Sequence, residues 1–157
     1  MESFDDDFDE QEEDDTQGEF WKPIYKLSDE LRQHIKKISV TLQSMLDITG
    51  DEDKLTKSQI EMMLCDSWLV DAKLAGARGG DMYLLYMENA SIIRSHMRQM
   101  QSFTYGLEME NEHGDDTGIS QPYILVLREE IEAFKDVFQK WVQTFEKDKH
   151  EDEWGLY

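Results

Sequence analysis

Seven polar side chains between residues 66 and 94 are close enough in sequence to act together: Asp66, Lys73, Tyr83, Tyr86, Glu88, Asn89 and Arg94. In Met82–Arg98, MYLLYMENASIIRSHMR, the residues Glu88, Asn89 and Arg94 interrupt a largely apolar run. Asp66, Asp71 and Lys73 precede it on what should be the antiparallel neighbour. Buried polar groups need partners, so an Arg94–Asp66 or Lys73–Glu88 contact is expected across that hairpin. Functionally this would be a polar pocket for a small molecule or a metal. Structurally it would be a network that fixes helix register, or the solvated edge of the bundle.

Other patterns that suggest chemistry fail on spacing. A di-iron bundle needs Glu-x-x-His pairs on core-facing helices. The one such pair, Glu110 and His113, falls in an expected loop. His34 and His96 lack a carboxylate at the matching offset. The run Asp47–Ser58 holds Asp47, Asp51 and Asp53, but its Gly50 stands fourth where a calcium loop needs glycine sixth. Glu108, Glu110, Glu112, Asp115 and Asp116 read as a solvated acidic loop. Phosphate-loop, dinucleotide and nucleophile-elbow motifs are absent. The single cysteine, Cys65, excludes an internal disulfide and reads as a small buried apolar residue.

The elements that would position these groups are four helices. The first is expected over Ser28–Ile48, capped by Ser28, with Ile24, Leu27, Leu31, Ile35, Ile38, Leu42 and Met45 stepping by threes and fours. Thr56 and Gln59 stand at capping-box spacing and open the second, whose inner row is Ile60, Met63, Leu64, Ser67, Val70, Leu74 and Ala77. Arg78-Gly79-Gly80-Asp81 makes a tight turn into the third, Met82–Tyr105, which Gly106 is expected to end. Residues 107–119 form the longest internal loop. Ser120 and Pro122 start the fourth, which runs to Glu146 with Leu127, Ile131, Phe134, Phe138, Trp141 and Phe145 inward and Glu129, Glu130, Glu132, Asp136 and Lys140 outward. Comparable lengths and mostly short connections predict an all-α, antiparallel up-down-up-down four-helix bundle over residues 23–147.

The formal charge of -20 is concentrated at the ends. Residues 1–20 hold eleven acids and no base, too much charge for too little apolar surface to order itself, so residues 1–22 are expected as a disordered acidic head. Residues 148–157 form an acidic-aromatic tail. Phe4, Phe8, Trp154 and Tyr157 are candidate anchors for a partner, steered by the acids toward a basic surface. Without a basic patch, nucleic acid is not an expected ligand. An acidic start and the lack of an apolar stretch of about 18 residues argue against export and a membrane span, leaving the cytoplasm.

The stretch around Lys73–Arg94, AKLAGARGGDMYLLYMENASIIR, and the closing Asp152-Glu153-Trp154-Gly155-Leu156 resemble a group of small acidic bacterial helical proteins of unknown function. That resemblance implies a helical fold and carries over no catalytic residue. The expected function is a non-catalytic protein–protein interaction bundle with acidic tails, without a cofactor. A homodimer is expected if the apolar faces of the third and fourth helices exceed what one bundle covers. The alternatives are the small-molecule or metal-binding pocket described above and, more weakly, an acidic decoy for a nucleic-acid-binding protein.

Overall fold

A computed structural model describes residues 22–77, 82–114, 118–149 and 151–155. Residues 1–21 of the expected acidic head, with Phe4 and Phe8, the 78–81 turn and Tyr157 lie outside the described residues. Four helices follow in order: α1 (Pro23–Ile48), α2 (Lys54–Gly76), α3 (Tyr83–Glu112) and α4 (Gln121–Gln143). Each packs on its neighbours in a closed ring, α1 on α2 and α4, α3 on α2 and α4. The direction alternates. Ser39 bonds Ser67, and Arg32, nearer the start of α1, bonds Asp71, nearer the end of α2. The core is one cluster drawn from all four helices, with Leu31, Ile35, Ile38, Leu42, Ile60, Leu74, Ile93, Phe134 and Trp141 sealed from solvent.

Several ends differ from expectation, each for a local reason. α1 begins at Pro23, over a turn before Ser28, because proline suits the first helical position, where its missing N–H has no partner to lose. Ser28 is therefore not a cap. Its buried hydroxyl donates to the Leu74 carbonyl of α2 at 3.4 Å. α2 opens two residues before Thr56, capped by Asp53, whose carboxylate accepts the Thr56 N–H at 3.0 Å in place of the Thr56–Gln59 box.

α3 does not end at Gly106. It continues to Glu112, and the loop shortens to 113–120. Glycine costs about 1 kcal/mol inside a helix. Burying Leu107, one residue on, returns roughly 1.5–3 kcal/mol. Two further ties hold the extension, one to α4 and one to the loop before it. Arg128 Nη2 donates to Glu108 Oε2 at 2.8 Å, and Asn111 Nδ2 donates to the Ile119 carbonyl at 2.9 Å. The reversal that follows uses Gly114 and Gly118, at φ 84° and 70°, where a Cβ would be strained. α4 stops at Gln143, short of Glu146, with the Thr144 hydroxyl turned back onto the Trp141 carbonyl at 2.6 Å.

Candidate functional site

The seven residues singled out above are distributed over different faces. Asp66 meets His96, not Arg94, with His96 Nδ1 3.0 Å from Asp66 Oδ1. Residues 94 and 96 stand about 200° apart around a helix, so only one of them can face α2. Arg94 is exposed and borders a shallow apolar depression between α3 and α4, floored by Met97, Ile131, Phe134 and Phe138. Glu88 is exposed and Lys73 half-buried, and no ion pair joins them among the described residues. Tyr86 is core, stacked on Phe145 at 5.0 Å and edge-on to Trp141 at 6.5 Å. The Tyr83 N–H donates to Asp148 Oδ2 at 3.1 Å, at the end of the bundle. Asn89 is half-buried. The expected pocket reduces to a pair, Asp66 and His96, with Asp66 Oδ2 buried and without a hydrogen-bond partner among the described residues. No third ligand joins them: no group of three or more His, Cys, Asp or Glu among the described residues could hold a metal ion.

A second buried acid was not anticipated. Glu130 belongs to the expected solvent face of α4, yet it is half-buried against α1 and its Oε2 is enclosed with no hydrogen-bond partner among the described residues. It follows Leu127 by three positions and precedes Ile131 by one, at the edge of the inward row. Burial raises its pKa above the ordinary carboxylate value, against the opposing pull of the Thr41 hydroxyl, Lys37 and His34 from α1. The indole Nε1 of Trp141 is likewise enclosed with no hydrogen-bond partner among the described residues, whereas other polar side chains pair across helix seams. Arg32 grips Asp71 with two nitrogens, at 2.7 and 3.2 Å, and that pairing holds the guanidinium pKa above its usual value. Arg128 and Gln121 hold the Glu108 carboxyl below the usual range.

The exposed face of α2 is where the outer surface departs from an ordinary bundle. The inward residues Thr56, Ile60, Met63, Ser67, Val70 and Leu74 are all buried. A second row, Leu55, Ser58, Met62, Cys65, Leu69 and Ala72, also advances by alternating steps of three and four, and every member is exposed. Cys65 is thus not the buried apolar residue its composition suggested. Trp68 borders the row at 61% exposure, and Leu55 starts it at 68%. A single exposed leucine on a protein surface is ordinary, but three large apolar side chains on one line, Leu55, Met62 and Leu69, with small residues between them, are not. A homodimer was expected only if the apolar faces of the third and fourth helices exceed what one bundle covers. Those helices leave Leu85, Tyr105, Met109, Leu125 and Val126 exposed, while the exposed row at regular spacing is on α2.

Trp154 of the tail is 82% exposed. No helix among the described residues is long and apolar enough to cross a membrane. Comparison with known protein families, with curated proteins and with solved structures finds no match.

Proposed function

We propose that this chain is a non-catalytic interaction protein: a rigid bundle that presents the outer face of α2 to a protein partner, with acidic ends that tune association. One observation carries the reading, the exposed row Leu55–Ala72 at coiled-coil spacing, flanked by Trp68. A 3-4 repeat is the pattern by which one helix seats in the grooves of another, and a large aromatic beside it is the residue type that dominates interface energies. The dispersal of the polar candidates supports it too, since catalysis needs groups that converge on one point. The electrostatics fit the same picture. α2 carries Lys54, Lys57 and Lys73 against Glu61, Asp66 and Asp71, so its formal charge is zero within a chain of -20. The apolar row thus lies on a helix that adds no net charge repulsion of its own.

The test is site-specific cross-linking of the full chain in its native cells. A photo-reactive amino acid at position 69 should trap protein adducts, whereas one at Gln33, on the exposed polar face of α1, should trap few. Equal yields from the two positions would dismiss the α2 face as an interaction surface.

A further inference from the structure

We infer that the occupant of this face is a second copy of the same chain, its α2 lying antiparallel across the first on a two-fold axis between Met62 and Cys65. The inference rests on the reading above, because it names the partner of that surface.

In heptad terms Leu55, Met62 and Leu69 hold the a positions, while Ser58, Cys65 and Ala72 hold the d positions. All the large side chains fall on a, and all the small ones on d. When two helices pack antiparallel along such a seam, an a residue of one faces a d residue of the other. With the axis placed as above, Leu55 meets Ala72 of the second copy, Met62 meets Cys65, and Leu69 meets Ser58. The two-fold generates each layer again with the roles exchanged. Every layer then sets one large side chain against one small one, which fills space evenly. A parallel pair would set large on large and small on small, giving crowded layers beside empty ones, each a cost.

The available area agrees with a modest dimer. α2 is 23 residues, about 34 Å at 1.5 Å per residue. Half the circumference of a helix about 11 Å across, taken over that length, is roughly 580 Å² per copy. The total is then about 1,200 Å², at the low end of the range for specific interfaces. Zero formal charge on α2 lets two strongly acidic molecules meet there. Reversible association in the micromolar range is the expected outcome.

Sedimentation equilibrium of the full chain from about 1 to about 200 µM reads this directly. Wild type should pass from monomer to dimer. Leu69→Glu buries a carboxylate without a partner in the seam and should raise the dissociation constant about 100-fold or more. Ser58→Lys should weaken pairing in the same way. Both sites face away from the core, so helical circular dichroism should be unchanged. The double variant Ser58→Lys/Leu69→Glu should recover much of the association, because each lysine then faces a glutamate of the second copy. Within one chain the two positions are eleven residues apart, about 16 Å along the axis, too far to neutralise each other. A dimer that ignores the single changes, or a double variant no tighter than the singles, overturns the pairing. So does a strict monomer, whether the face is then covered by the chain's own acidic head or by another protein. A monomer that still gives cross-links from position 69 defeats only the self-pairing. A monomer without them defeats the interaction reading as well.

Discussion

α1 and α2 are neighbours of similar length, and they use their surfaces oppositely. α1 is apolar on one stripe, Leu31, Ile35, Ile38, Leu42 and Met45, while its outer positions are Asp29, Gln33, Lys36, Lys37, Gln43 and Asp47, with Val40 and, at its last residue, Ile48 as the exposed large apolar side chains. Folding the bundle satisfies such a helix completely. α2 is apolar on two opposite stripes, and folding one chain covers only the inner one. The outer stripe, with Leu55, Met62 and Leu69, stays exposed in the single chain.

The largest expected effects separate the buried interior from the outer face of α2 through two tryptophans. Trp141 is fully buried on α4, where Tyr86, Phe138 and Phe145 surround it. Trp141→Ala should lower the unfolding free energy by about 3–5 kcal/mol in urea titrations. Trp68→Ala, measured where the chain is monomeric, should change it by no more than about 0.5 kcal/mol while weakening association. A comparable loss of monomer stability from Trp68→Ala would mean that the outer row belongs to the fold, and the contrast between α1 and α2 would disappear.

The ion pair between these two helices comes next. Arg32 and Asp71 are each about a third exposed, at 29% and 30%, and their contact is bidentate. Asp71→Ala should cost about 1 kcal/mol, the upper range for a solvent-accessible pair, and high salt should shrink that cost. A loss unaffected by salt would point to packing by the side-chain stems as the source.

How far the sequence reveals these features depends on what fixes each one. Four apolar rows at helical spacing determine the four helices, since burial needs only side chains on one face. The α2 outer row was equally legible in Leu55, Met62, Cys65 and Leu69, but a search for the core stops at the first stripe that suffices. Helix ends were harder to read. The fate of Gly106 depends on Leu107 finding a buried site and on Arg128, twenty residues later, reaching Glu108. A local propensity is outvoted there by contacts distant in sequence. The Asp66 partner was misread for a related reason. Arg94 and His96 both carry suitable charge, and only the helix phase, set by the whole bundle, decides which one faces α2.

Two glycines near the end of α3 test that account. Gly106 is helical, and an added Cβ would meet nothing within 4 Å. Gly106→Ala should therefore stabilise the bundle by about 0.5–1 kcal/mol. Gly118 also has open space around it, but its φ is +70°. Gly118→Ala should destabilise by about 1 kcal/mol. Opposite signs in the same denaturation assay support a helix running through Gly106. A destabilising Gly106→Ala would restore the shorter helix and the longer loop.

The smallest effect concerns Glu130, where α4 meets the polar side of α1. Its folded-state pKa is raised by burial, so between the ordinary carboxylate value and the raised one the native state holds a proton that the unfolded chain has released. Stability from this group is present at acid pH and is lost as pH climbs through that window. Glu130→Gln keeps a neutral, hydrogen-bonding side chain beside Thr41 and removes the titration. The melting-temperature difference, variant minus wild type, should be near zero at about pH 4 and grow by a small positive amount by about pH 7. A difference of the opposite sign at neutral pH would mean that Lys37 and His34 outweigh burial, making the carboxylate a stabilising partner of α1.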